Sequence, residues 1–194
     1  MIGGAVKTLV VCYSNSGTTM IVAEYLAQAL TADFDVIEEV KPRPPLLYKG
    51  ERSKAGGGTF VKAVCAALFG RSSRIAATRK DPSQYDLVLV GTPIWAGSVT
   101  PAVRSYLRRH RKQLRRVAFF CTAGMPEKSR AFRQMKRLAG KQPMDTVGVK
   151  SDDVRTDACP LIIDGFVKNL KAAGQAEHLA SVVAPVTRGE THSE

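Results

Sequence analysis

The chain has 194 residues, 44% of them apolar and 24% charged. That supports one compact domain with a real core, is short for two ordinary domains, and is too apolar for global disorder. The formal net charge of +12 admits nucleic acid, an anionic membrane surface or an acidic protein as partner, and equally a plain solvated arginine-rich surface. No apolar run approaches the roughly 20 residues that span a bilayer. Met1 to Cys12 lacks the pattern of a signal peptide, because its apolar run stops at the polar stretch Ser14 to Thr19. A cytoplasmic protein with no transmembrane segment is therefore expected. Cys12, Cys65, Cys121 and Cys159 form no Cys-x-x-Cys pair and no metal-ligand spacing, so buried reduced thiols are expected and no metal.

Val6 to Tyr13 is an apolar, β-branched run, the pattern of a strand buried on both faces. Thr19 to Leu30 follows as a helix, with Glu24 and Gln28 on one face and Val22, Leu26 and Ala29 on another. Phe34 to Val40 reads as a second strand and Tyr85 to Gly91 as a third. Thr100 and Pro101 suit the start of a helix whose buried stripe is Val103, Leu107 and Leu114. Val117 to Cys121 is a fourth strand. A helix from Pro126 to Ala139 ends at Gly140, and Thr146 to Val149 is a fifth strand. The last helix covers Pro160 to Ala173, with Gly174 beyond its end. Strands alternating with helices predict an α/β fold of three layers: a doubly wound, five-stranded parallel sheet in the order 2-1-3-4-5. The expected organisation is one domain over 1–184, with 41–82 as a long crossover containing a short helix at Phe60 to Phe69, and 185–194 as a frayed tail.

In such sheets ligands bind beyond the carboxyl ends of the strands, so the loops after each strand carry the information. After the first strand come Ser14, Asn15, Ser16, Gly17, Thr18 and Thr19, leading straight into a helix. Five of these six side chains offer a polar hydrogen, and the helix start adds free N–H groups and about half a positive charge. Together they form a phosphate site without a cation. No lysine follows Gly17, which excludes an ATP-type P-loop. Thr18 stands where a cysteine phosphatase loop counted from Cys12 would need arginine, and no Gly-x-Gly-x-x-Gly follows a strand. The plain alternative is a capped helix in a polar turn. After the third strand, Trp95 is the chain's single tryptophan. It either covers a planar ring or caps the core. After the fourth strand, Thr122, Ala123 and Gly124 let backbone approach a ligand closely.

Three segments in this order resemble the flavodoxin family: Val10 to Thr19, Tyr85 to Gly97, and Val117 to Gly124. The resemblance covers most of Lys7 to Leu170. It implies a flavodoxin-like fold holding FMN, with Ser14, Asn15, Ser16, Gly17, Thr18 and Thr19 on the phosphate. Pro93, Ile94, Trp95, Ala96 and Gly97 would border the isoalloxazine, and Thr122, Ala123 and Gly124 would meet its far edge. A peptide group near Ala96 and Gly97 would bond the flavin N5, with Gly97→Pro as its test. Electron-carrier flavodoxins are commonly acidic, whereas this chain is basic, and its third loop lacks their second sandwiching aromatic.

Arg104, Arg108, Arg111 and Arg115 recur at helical steps and are expected as one exposed stripe opposite Val103 and Leu107. Arg130, Arg133, Lys136 and Arg137 add charge on the next helix. This face docks an acidic redox partner, holds the phosphates of a nicotinamide cofactor, or is simply solvated. Nucleic-acid binding lacks supporting aromatics. His110, His178 and His192 are expected at the surface, and no residue stands out as an obligatory acid or base. Three functions remain open. One is an electron carrier serving a redox partner protein. Another is an NAD(P)H-dependent FMN reductase of quinones or similar small acceptors. The third is a flavin-free adaptor on the same fold.

Overall fold

The computed structural model describes residues 6–43, 72–124 and 129–183, with side chains through 176. Strand β1 (Thr8–Cys12), helix α1 (Thr18–Leu30) and strand β2 (Asp33–Val36) come first. They are followed by β3 (Leu87–Trp95), the short β4 (Ser98–Val99), α2 (Pro101–His110), β5 (Arg116–Ala123), α3 (Ser129–Ala139), β6 (Pro143–Lys150) and α4 (Ala158–Val183). The parallel strands run β2-β1-β3-β5-β6, and β4 pairs antiparallel with β3. Without β4 this is the 2-1-3-4-5 order expected from the sequence.

Period-two alternation along apolar strands gives the sheet two buried faces. Leu9, Val11, Val88, Val90, Val117 and Phe119 join one core with α2 and α3, and Val10, Cys12, Leu87, Leu89, Ala118 and Phe120 join the other with α1 and α4. Cys12, Cys121 and Cys159 are buried and free. β1 lies between β2 and β3 with Cys12 opposite both Val36 and Gly91. Those two pairings level the strand ends, so the loop after β1 emerges beside that of β3. At Gly91 the ring of Phe120 takes the place of a side chain, since a Cβ there would lie 2.1 Å from its Cζ.

Several boundaries differ from the sequence-based expectation. β2 stops at Val36, and Glu39 instead forms an isolated antiparallel bridge with Ile75 from the end of the crossover. The expected helix at Phe60 to Phe69 and the tail at 185–194 lie outside the described residues. α2 ends at His110, so Arg111, Leu114 and Arg115 follow the helix rather than extend its stripes, although Leu114 is still buried. Thr100 occupies the N-cap position of α2, but its hydroxyl makes no cap and meets the Thr92 hydroxyl at 3.1 Å. Gly140 ends α3 at φ +66°. α4 runs on through Gly174, which lacks that left-handed turn and costs a helix only about 1 kcal/mol.

His110 is buried, contrary to expectation. Its ring lies 4.6 Å from that of Tyr106, its Nδ1 meets Gln113 Oε1, and its Nε2 has no partner among the described residues. Burial holds its pKa below the ordinary 6.5, helped by Arg109 and opposed by the Gln113 bond and Asp81.

Two predictions follow from this packing. Gly91→Ala should destabilise the fold by about 1–3 kcal/mol in urea unfolding through overpacking, and Phe120→Leu in the same chain should recover part of that loss. An undiminished midpoint in Gly91→Ala would contradict the close packing. For His110, the unfolded chain binds a proton near pH 6.5 while the folded ring resists it, so stability should fall as pH drops below 6.5. His110→Phe should flatten that part of the pH–stability curve.

Candidate functional site

The start of α1 is built to present donors. Gly17 sits at φ +86° in the N-cap position and supplies no side-chain cap. The Ile21 N–H bonds the Gly17 carbonyl at 3.1 Å, and the Met20 N–H donates to Ser14 Oγ at 3.3 Å. The Thr18 and Thr19 N–H groups precede the first intrahelical bond and point out along the positive end of the helix. The Ser16 and Thr18 hydroxyls lie 3.3 Å apart beside them. Asn15 Nδ2 donates to the Arg43 carbonyl at 3.4 Å. Thr19 turns inward: it is buried, and its hydroxyl meets that of Thr122 at 2.7 Å. This bond ties the loop after β1 to the end of β5.

The loop after β3 is a tight hairpin that the sequence did not disclose. Ile94 pairs with Val99 and Trp95 with Ser98, leaving Ala96 at φ +47° and Gly97 at φ +71° as a two-residue reversal. Two positive φ values match the turn that suits the twist of paired strands. The hairpin is fastened to its neighbours. Gln134 on α3 accepts from the Val99 N–H at 3.2 Å and donates to Ser98 Oγ at 3.4 Å. Arg104 Nε donates to the Val99 carbonyl at 3.0 Å. Proline fixes φ near −65° and cannot occupy position 97, so Gly97→Pro would break the hairpin rather than probe it.

Trp95 caps the core. Only 8% of it is exposed, and its ring packs edge-on to Tyr13 with centroids 6.0 Å apart. The Arg43 guanidinium lies 5.7 Å from the indole centroid. Arg43 Nε in turn donates to both carboxylate oxygens of the buried Glu39, at 3.2 and 2.9 Å, and Tyr13 Oη donates to Glu39 Oε2 at 3.1 Å. Burial and the Glu39 charge push the Tyr13 phenol above its usual range. Sequence reasoning missed this Tyr13–Glu39–Arg43–Trp95 network. Its only sequence signal is the four-residue spacing of Glu39 and Arg43. On the far side of Arg43, a cavity of about 360 Å³ is lined by Glu39, Val40, Lys41, Arg43, Ser73 and Arg74.

All three candidate loops reach one edge of the sheet. Pro93 pairs with Thr122 in the β3–β5 ladder, Ala123 is buried, and Gly124 is exposed. Gly17, Gly97 and Gly124 each face open space, since an added Cβ would meet no described atom within 4 Å. The α1 end therefore suits a phosphate group, and open backbone at the second and third loops leaves room for a flat ligand beside it. Among the described residues, no cluster of His, Cys, Asp or Glu could hold a metal ion. Nor is any helix there long and apolar enough to cross a membrane.

Fold and loops together define a doubly wound α/β protein whose first switch loop opens a helix with free space in front of its N-terminal glycine. The sequence profile of the Flavodoxin domain family matches residues 61–159, and the chain belongs to that family. The structure is similar to the flavoprotein of Lactobacillus acidophilus, solved in complex with FMN, at 22% identity and a TM-score of 0.60, covering 79% of this chain and 98% of that one. It is also similar to a WrbA-like flavodoxin of Agrobacterium tumefaciens, at 15% identity and TM-score 0.55, with 89% and 98% covered. A third similar structure is the oxidised flavodoxin 2 of Bacillus cereus, at 13% and 0.52, with 86% and 98% covered. No curated protein matches the chain.

The Thr19–Thr122 bond gives a direct test of this geometry. Thr19→Val or Thr122→Val alone should cost about 1–3 kcal/mol, because the remaining buried hydroxyl loses its partner. The double variant should cost clearly less than the sum of the two. Strict additivity in urea unfolding would mean that the two hydroxyls do not bond.

Proposed function

We propose that this chain binds one FMN non-covalently and serves as an electron-transfer protein of the cytoplasm. The observation that carries this reading is the first turn of α1. There, two outward N–H groups and the Ser16 and Thr18 hydroxyls converge beside a glycine with open space in front of it. Ser14 closes the loop by holding the Met20 N–H, and Asn15 anchors it to the Arg43 segment. Thr19 fixes the distance to the third loop from inside. Pro93, Ile94, Ala96 and Gly97 would form the second wall, backed by Trp95 in the core, and Gly124 the third, backed by the buried Thr122 and Ala123.

When bound, FMN supplies the redox chemistry, and the protein supplies position and field. Ser16, Thr18 and the helix N–H groups neutralise a dianion without a cation, so no lysine or arginine is needed at that end. The Ala96–Gly97 peptide is held by the hairpin pairing and presents backbone, not a titrating group, to the ring. The loops would exclude water from a bound ring, and the exposed Gly124 would leave the site open to a redox partner at the third loop.

The reading is tested by titrating apoprotein with FMN and following flavin fluorescence. Ser16→Ala and Thr18→Val should each weaken FMN binding by about tenfold or more, as loss of a bond to a charged group implies. The same variants should leave riboflavin, which has no phosphate, unaffected. A wild-type protein with no affinity for FMN overturns the cofactor reading. Rapid NADPH oxidation by the FMN-loaded protein with a quinone overturns the carrier reading in favour of the reductase.

A further inference from the structure

We propose that the cationic face formed by α2 and α3 is the docking surface for an acidic redox protein, which it seats beside the Trp95–Ser98 hairpin. This rests on the reading just given, since the seat serves electron transfer only if the carrier lies at that edge.

The face is of one sign. α2 contributes Arg104, Arg108 and Arg109, and α3 contributes Arg130, Arg133, Lys136 and Arg137, with no Asp or Glu in either helix. Arg108, Arg130, Arg133, Lys136 and Arg137 are all exposed. Ion pairs among the described residues are made elsewhere, by Arg43, Arg79, Lys80 and Arg115. Arg104 departs from the expected surface stripe. It is buried at the helix junction, where it braces β4 and bonds Gln134 Oε1 at 3.3 Å. Burial, with the like charges of Arg108, Arg137 and Arg130, lowers its pKa. Charges of one sign gathered this way raise a field that steers an oppositely charged partner.

The location fits an electron-transfer seat. Gln134 and Arg104 fasten the two helices to Ser98 and Val99, so a partner lying on α3 abuts the second wall of the site. By contrast, the exposed side of α4, on the other face of the sheet, mixes Asp164 with Lys168 and Lys171.

Other anionic partners fit less well. Ala131, Met135 and Ala139 of α3 are buried, and Phe132 and Leu138 pack partly against the same core, which leaves no fully exposed apolar stripe to enter a lipid surface. Among the described residues no exposed aromatic stands among these cations, Phe132 being packed partly into the core, so single-stranded nucleic acid finds no stacking platform there. An acidic folded protein needs neither.

The test uses the acidic soluble domain of cytochrome b5 as probe and basic cytochrome c as control. Binding of fluorescently labelled cytochrome b5 to the apoprotein is read by anisotropy at low salt. Transfer of one electron from photoreduced FMN to ferric haem, giving ferrous haem, is then read with the FMN-loaded protein. Arg130→Glu/Arg137→Glu should weaken cytochrome b5 binding and slow its reduction by about tenfold or more. Lys168→Glu/Lys171→Glu, an identical change of charge on α4, should alter both by less than about twofold. Raising ionic strength from about 10 to about 300 mM should slow the acidic partner and not the basic one. Equal losses in the two double variants overturn the proposal, because net charge alone would then explain the binding. No loss in either also overturns it. Tighter binding to phosphatidylserine vesicles or a DNA oligonucleotide, lost in Arg130→Glu/Arg137→Glu, overturns it in favour of that ligand. If FMN fails to bind, the anisotropy measurement still decides the docking surface, so the two proposals fail separately.

Discussion

The parallel pairing of β1 between β2 and β3 is the constraint on which the site depends. Cys12 stands level with Val36 on one side and Gly91 on the other, and that register fixes where three chains leave the sheet. A slip of one residue would turn every β1 side chain to the opposite core. It would also lift the Gly17 turn away from Thr122, whose hydroxyl Thr19 reaches across the sheet edge. Apolar burial on both faces enforces the register. The start of α1 is therefore positioned by packing far below it and fastened in place by the Ser14, Asn15 and Thr19 bonds.

Much of this was legible from the residues. The β1–loop–α1 unit shows itself because a doubly buried strand must be continuously apolar, and the loop after it abruptly is not. The strand order follows from the alternation of elements. The hairpin at Ala96 and Gly97 did not show, because Ala-Gly is a weaker signal than the Asn-Gly or Asp-Gly pairs that favour such turns. Tertiary contacts, through Gln134 and Arg104, hold it instead. Trp95 could be weighed only as ring cover or core cap, and Tyr13, Glu39 and Arg43 decide its place from distant parts of the chain. His110 and Arg104 misled for a common reason: periodicity reads a polar residue as exposed, while here His110 is buried against Tyr106 and Gln113, and Arg104 against β4 and Gln134. Gly174 misled because glycine ends a helix only where the backbone turns left-handed, as at Gly140 and not there.

Charge is distributed as sharply as hydrophobicity. The ion pair of buried Glu39 and half-buried Arg43 sits on the β2 side of the edge, held by Tyr13 and lying against Trp95. The exposed, one-signed cations Arg108, Arg130, Arg133, Lys136 and Arg137 sit on α2 and α3. Between them the proposed phosphate nest would rely on hydroxyls, N–H groups and a helix dipole, whose influence decays within a turn. Local neutral donors can thus set the cofactor end, and distant cations the approach of a partner, with little interference between the two.

The thiol of Cys12 has a further use. It is wholly enclosed in the middle of the sheet, and burial, reinforced by Glu24 and Asp35, pushes it far from its reactive thiolate form. While the sheet stays closed, alkylating reagents meet neither an accessible sulfur nor a charged one. Modification at this single position is thus a clock for separation of the central strands, started only when the molecule opens and readable by mass without any added label.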